Sequence, residues 1–174
     1  MNKQQGFTLV ELVVVIIILG ILAVTAAPKF INMQSDARVS TLQGVKGAIN
    51  GANVMVYAKA SLDGQVKANT NGSGTITLDS KDATGKNITV STMYGYVKAD
   101  PADITNVADL AGSDWDVYAA NKVPTEPKGM PTPAVNAVVI HQKNAPATCY
   151  IEYTQASSTA LPSFVTTHAV AKGC

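Results

Sequence analysis

Residues 7–27, FTLVELVVVIIILGILAVTAA, restrict what this chain can fold into more than any other stretch: they carry one charge, Glu11. As a helix rising about 1.5 Å per residue they span about 32 Å, enough to cross a bilayer core of about 30 Å. A helix apolar all round must lie in lipid or be wrapped by other apolar surface. The flanks narrow the choice. Residues 1–6 are short and polar, with Lys3 as their one cation and Gly6 directly against the apolar run. A secretory signal is cut after its apolar region, at a small-x-small site. The candidate is Thr25-Ala26-Ala27, and Pro28 just past the scissile bond suits that cleavage poorly. The apolar segment is expected to stay on the protein.

Glu11 is the odd residue. An ionisable group inside a membrane span is costly and marks a function or a partner. It follows Phe7 by four positions, so on a helix the two share a face. A cut between Gly6 and Phe7 would create an α-amino cation at the same depth. That amine, on this subunit or a neighbour, is the natural partner for Glu11. The plainer alternative is a solvated carboxylate at the headgroup level.

Gly6-Phe7-Thr8-Leu9-Val10-Glu11, followed by the long apolar run, resembles the class III signal of type IV pilins and pseudopilins. The resemblance implies that a prepilin peptidase cuts after Gly6 and methylates the new N-terminus at Phe7. Residues 20–49, GILAVTAAPKFINMQSDARVSTLQGVKGAI, are most similar to pilins of the mannose-sensitive haemagglutinin (MSHA) type. Beyond that stretch only the general plan and the two cysteines agree.

At 174 residues the chain is long enough for one globular domain plus a membrane segment. The expected division is a leader at 1–6, a transmembrane and polymerisation helix at 7–29, an amphipathic helix at 30–60 and an α+β domain at 61–174. Of 13 basic and 12 acidic residues, the leader removes one base, Lys3, so the side chains that remain balance. A neutral surface argues against nucleic acid as a partner, since phosphate binding needs clustered Lys and Arg. It also lets copies of the chain associate without strong repulsion. The two cysteines are Cys149 and Cys174. An even number in a domain that leaves the cytoplasm argues for a disulfide rather than free thiols, worth about 3.5 kcal/mol on the chain-entropy estimate.

Downstream of the apolar run, Pro28 removes a backbone donor and is expected to kink the helix just before it. Gly20 is a second weak point. Leu42, Val45, Ile49, Ala52 and Val56 form a helical apolar stripe. Ser40, Gly44, Gly47 and Gly51 form a small-residue face, where a sheet or a neighbouring helix is expected to approach and compensate the glycines. One helix from about residue 7 to residue 59 follows. Residues 61–74 are polar and Gly/Asn-rich, hence a loop. Short strands are expected at 75–78, 87–91 and 115–118. Asp100-Pro101-Ala102-Asp103 pairs an N-cap with a proline at the first helical position, opening a short helix to about Leu110. Four prolines within 121–133 predict an exposed connection. The stretches 137–142, 148–154 and 164–171 read as β-strands, with Cys149, Ile151 and Tyr153 on one side of the middle one. The fold class is α+β, a long N-terminal helix packed on a C-terminal antiparallel sheet, as the pilin resemblance also implies.

No catalytic constellation stands out. The chain has no Gly-Lys phosphate loop and no nucleophile elbow. His141 and His168 fall in strand-like segments and read as surface or packed residues. Asp114-Trp115-Asp116 is a weak calcium hint and reads as a turn or strand edge. No cofactor or metal is expected, and the chain reads as an enzyme's substrate rather than an enzyme. Withdrawn from a bilayer, the apolar helix must bury its surface elsewhere, and other copies supply such surface in quantity. A homopolymeric helical filament with heterologous, non-closing contacts meets that need. The resemblance implies further partners: the prepilin peptidase, the pilus assembly machinery, and a surface or carbohydrate receptor. It places the chain in the inner membrane first, then in a surface pilus. A type II secretion pseudopilin is the rival. In that family the soluble domain usually lacks cysteines and carries a calcium loop, so Cys149 and Cys174 favour the pilus. A membrane-anchored binding protein that never polymerises is a third possibility, and it would leave the leader and Glu11 unexplained.

Overall fold

The computed structural model describes residues 6–67, 71–81, 84–110, 112, 114–158, 164–167 and 174. Helix α1, Leu9–Leu62, is 54 residues long, about 80 Å at the α-helical rise. It begins two residues later than the apolar run because Thr8 is its N-cap, in extended conformation. It continues past Pro28 as one helix. Three antiparallel strands follow, β1 (Ser73–Lys81), β2 (Asn87–Met93) and β3 (Tyr96–Val97). Helix α2, Pro101–Val107, leads to β4 (Trp115–Ala119), a 3-10 turn (Ala120–Lys122), β5 (Ala137–Gln142), β6 (Tyr150–Thr154) and β7 (Phe164–Thr167).

The β-structure is divided into two sheets where the sequence suggested one. One has the order β1-β2-β3, the other β4-β5-β6-β7, all neighbours antiparallel. The strand β3 that completes the first sheet carries little signal in a two-residue run. It exists because Tyr94 and Gly95, both at positive φ (53° and 84°), close a two-residue turn whose twist suits a hairpin. A Cβ at Gly95 would lie 2.9 Å from the Tyr57 ring of α1, and Tyr57 stacks on Tyr96 with centroids 4.8 Å apart.

The core lies between α1 and both sheets. The stripe expected at Leu42, Val45, Ile49, Ala52 and Val56 is buried, and Ala60 extends it. Ile76, Val90 and Val97 meet it from the first sheet, and Val138, Ile140, Ile151 and Tyr153 from the second. Cys149, Ile151 and Tyr153 are buried together while Tyr150, Glu152 and Thr154 are not, the alternation expected of a strand with one face inward. Helix α2 packs on β2 and β4 and so bridges the sheets. Asp100 caps it, accepting from Ala102 N–H at 3.0 Å. It ends at Val107, short of Leu110, and Asp109 takes a positive φ of 50° just beyond.

Within the single chain the sheet half of the expectation for the glycine face is not met. Ser40, Gly44, Gly47 and Gly51 are exposed, and a Cβ built at any of the three glycines meets nothing within 4 Å. Among the described residues no sheet approaches them. The proline-rich connection is not wholly exposed either. Pro133 is buried, the Tyr118 hydroxyl donates to Pro131 O at 3.0 Å, and Ala134 N–H donates to Glu152 Oε1 at 3.1 Å. The connection is thereby held across the outer face of the second sheet, where Tyr118 and Glu152 stand opposite Val139.

Candidate assembly segment and the ties that hold the domain to it

The apolar half of α1 has no cover among the described residues. None of the stretch Leu9–Ala26 is buried, and Phe7 ahead of it is 92% exposed. Gly6 stands at its foot and is also exposed. The rest of the leader, including Lys3, lies outside the described residues.

Thr8 and Glu11 form a reciprocal cap. The Glu11 carboxylate accepts from Thr8 N–H and from the Thr8 hydroxyl, both at 2.8 Å, while Glu11 N–H donates back to Thr8 Oγ1 at 3.3 Å. This capping box satisfies donors that a helix start leaves without intrahelical partners. The signal Thr-x-x-Glu was present in the sequence, where the helix was expected to begin at about residue 7, and the cap gives Glu11 hydrogen-bond partners within its own chain. Pro28 lies inside α1, 17 positions beyond Glu11, and its missing N–H leaves one carbonyl of the preceding turn without its usual partner. Thr25 in that turn donates its hydroxyl to Leu22 O at 3.1 Å.

Two further sites fix the domain to the lower half of α1. Asn53 is a buried polar residue beside the apolar stripe. Its Oδ1 accepts from Val97 N–H at 3.0 Å and lies 3.3 Å from the Tyr153 hydroxyl, which donates to Val97 O. One amide thus joins α1, β3 and β6, and with them both sheets. Nothing in the sequence pattern singles out Asn53, since a helix interior contains many polar residues that face water.

The second site is at the domain's other end. Cys149 and Cys174 are at disulfide distance, with Cα atoms 4.7 Å apart, and both are buried. Arg38 of α1 donates from Nη1 to Cys174 O at 3.1 Å and from Nη2 to Asn144 O at 3.3 Å. The helix, the β5–β6 connection and the last residue are tied at one point. His141 is fully buried, with Nε2 donating to Pro146 O at 3.1 Å, and Pro146 O also accepts from Cys149 N–H at 2.8 Å. It is a packed residue that braces the disulfide-bearing loop. His168 lies outside the described residues. Asp116 of the Asp114-Trp115-Asp116 stretch pairs with Lys143 at 3.7 Å. Among the described residues no three His, Cys, Asp or Glu side chains gather as metal ligands would.

Residues 1–27 match the prokaryotic N-terminal methylation motif. The chain is 33% identical over 58 residues to the type IV narrow pilus major component PilA5 of Thermus thermophilus, a match covering 33% of this chain and 50% of that protein. It is 42% identical over 51 residues to the type II secretion system core protein G of Pseudomonas aeruginosa, covering 29% of this chain and 36% of that one. It is 46% identical over 44 residues to the type IV major alpha-pilin of Moraxella bovis, covering 25% and 28%. The chain thus spans half the length, or less, of the curated relatives it matches. No solved structure matches it. The long apolar N-terminal helix, the second helix and the antiparallel sheets agree with the α+β pilin fold.

Proposed function

We propose that this chain is the major structural subunit of an MSHA-like type IV pilus, a surface filament for attachment. The observation that carries the reading is the unburied helical stretch Leu9–Ala26, which lies within a match to the N-terminal methylation motif over residues 1–27. An 18-residue apolar helix with no cover among the described residues needs lipid before assembly and other copies afterwards. In this reading a prepilin peptidase cuts between Gly6 and Phe7, Phe7 is N-methylated, and the chain sits once across the inner membrane until the assembly machinery withdraws it. Glu11 then exchanges part of its cap for the Phe7 amine of a neighbour and sets the register. Pro28 lets the helix adjust as it packs. The role is structural, not catalytic, and a surface or carbohydrate receptor would meet the outer domain.

A second reading has its own support: the similarity to a type II secretion core protein fits a pseudopilin of a short periplasmic filament. The disulfide-tied C-terminal region favours the surface pilus. Material sheared from producing cells tests both. Filaments composed of a chain beginning at methylated Phe7 are expected, by electron microscopy and intact mass. Filament-free sheared material, with the processed chain retained in the periplasm or membrane, would overturn the surface pilus. A chain beginning at Pro28 would overturn the processing.

A further inference from the structure

The second sheet ends on β4, and only half of that strand's backbone is used. Lys143 N–H donates to Asp114 O at 2.9 Å, so 114 and 143 are a hydrogen-bonded pair. The alternation of an antiparallel ladder assigns the next rungs to 116–141 and 118–139. The adjoining ladder agrees. Gln155 N–H donates to Asn136 O at 3.1 Å, so Ile140 bonds to Ile151 and turns its main-chain groups away from β4. The N–H and C=O groups of Trp115, Val117 and Ala119 therefore point to the open side of the sheet. A groove of about 570 Å³ runs there, with residues 116–119 on one side and 99–102 on the other. Open edges are commonly guarded by lysine, proline, a bulge or a covering helix. Trp115-Asp116-Val117-Tyr118-Ala119 contains none of the first three, and the start of α2 stands across the groove without a backbone hydrogen bond to the strand among the described residues.

The first sheet has a matching edge. Tyr94 N–H donates to Gly72 O at 2.7 Å, which assigns the rungs to 74–92 and 76–90. Thr75 and Thr77, both exposed, turn their main-chain groups away from β2. A register shift after Thr77 and the charge of Lys81 guard the far end of β1, but not these two residues.

We propose that the β1 edge of one copy of this chain docks on the β4 edge of another. The pairing is antiparallel, with Thr77 opposite Val117 and Thr75 opposite Ala119, each pair exchanging two N–H···O bonds. Both edges offer open groups at the same two-residue spacing, as strand addition requires. That register brings the end of β1 that carries Lys81 to the end of β4 that carries Asp116, whose carboxylate already pairs with Lys143 at 3.7 Å. Because each copy uses a different edge, the contact is heterologous and propagates instead of closing. It rests on the filament reading and adds to it a contact between domains, outside the apolar helices.

The test places Thr77→Cys and Val117→Cys together in the full-length chain in producing cells. Directly opposed residues of a hydrogen-bonded pair lie about 5.5 Å apart at Cα, within disulfide reach. A ladder of dimers, trimers and larger species without reductant is expected from the double variant and not from either single one. Abundant filaments without a ladder would overturn the edge contact and leave the pilus standing. A ladder in cells that never make filaments would support the edge contact and overturn the pilus. Absence of both filaments and ladder would overturn both. Val117→Pro removes an N–H that leaves the ladder, a position where a strand tolerates proline. It is expected to keep the subunit level and lower filament number severalfold, and unchanged filament number would again overturn the contact.

Discussion

Glu11 has two physical roles that substitution can separate. In the single subunit it closes a capping box with Thr8; in a filament it would supply a charge for a neighbour's amine. Glutamine caps at this position nearly as well as glutamate but carries no charge. Glu11→Gln and Glu11→Val are therefore both expected to accumulate as processed membrane subunit with few filaments, counted by microscopy. Normal filaments from Glu11→Gln alone would leave the cap as the whole role of the residue. Asp103 makes a different point. It is a buried carboxylate, and burial raises its pKa above the usual 3.8 despite hydrogen bonds from Ser91. A folded-state pKa above the unfolded value means its contribution is full below about pH 4 and is lost as pH rises through the folded value. Melting curves of the native chain should lose stability across that window, and Asp103→Asn should flatten the loss. Tyr118 and Tyr150 are shifted upward by burial as well, so both phenols stay neutral through the physiological range.

At the scale of elements, α1 is three surfaces in one helix. The inward stripe was legible because apolar residues recur at helical spacing, and the structure buries all five of them. The glycine face was legible as a pattern but not in its partner, because spacing alone does not reveal which neighbour comes close. In the single chain that face is open. Glycine in a helix interior costs about 1 kcal/mol relative to alanine. Gly44→Ala, Gly47→Ala and Gly51→Ala should thus each raise the denaturation midpoint of the solubilised subunit. If another helix packs there, the same variants should reduce filament yield, read on the same preparations. The capping motifs at Thr8 and Asp100 were carried by local residues, and both caps form. The Asn53 node joins residues 44 and 100 positions away, a distance no local pattern bridges.

The whole molecule depends on a tie that closes late in the chain. The disulfide and Arg38 hold the C-terminal residue, the β5–β6 connection and α1 together. Cys174→Ser is expected to lower unfolding free energy by about 3.5 kcal/mol and to reduce the amount of exported subunit; denaturant melts with and without reductant check it. Arg38→Ala should weaken the same corner while the thiols remain oxidised, as alkylation would report. By itself the sequence determined the long helix, its apolar half, its inward stripe, the cap at Asp100 and the strand-rich final third. Each follows from contacts within a few residues or from the solvent a side chain demands. Only the tertiary structure decided that the strands divide into two sheets, that Asn53 locks both to the helix, that Arg38 reaches Cys174, and that the glycine face stays open. Those depend on which distant segments meet, and hydrophobic periodicity specifies that a face must be covered without specifying what covers it.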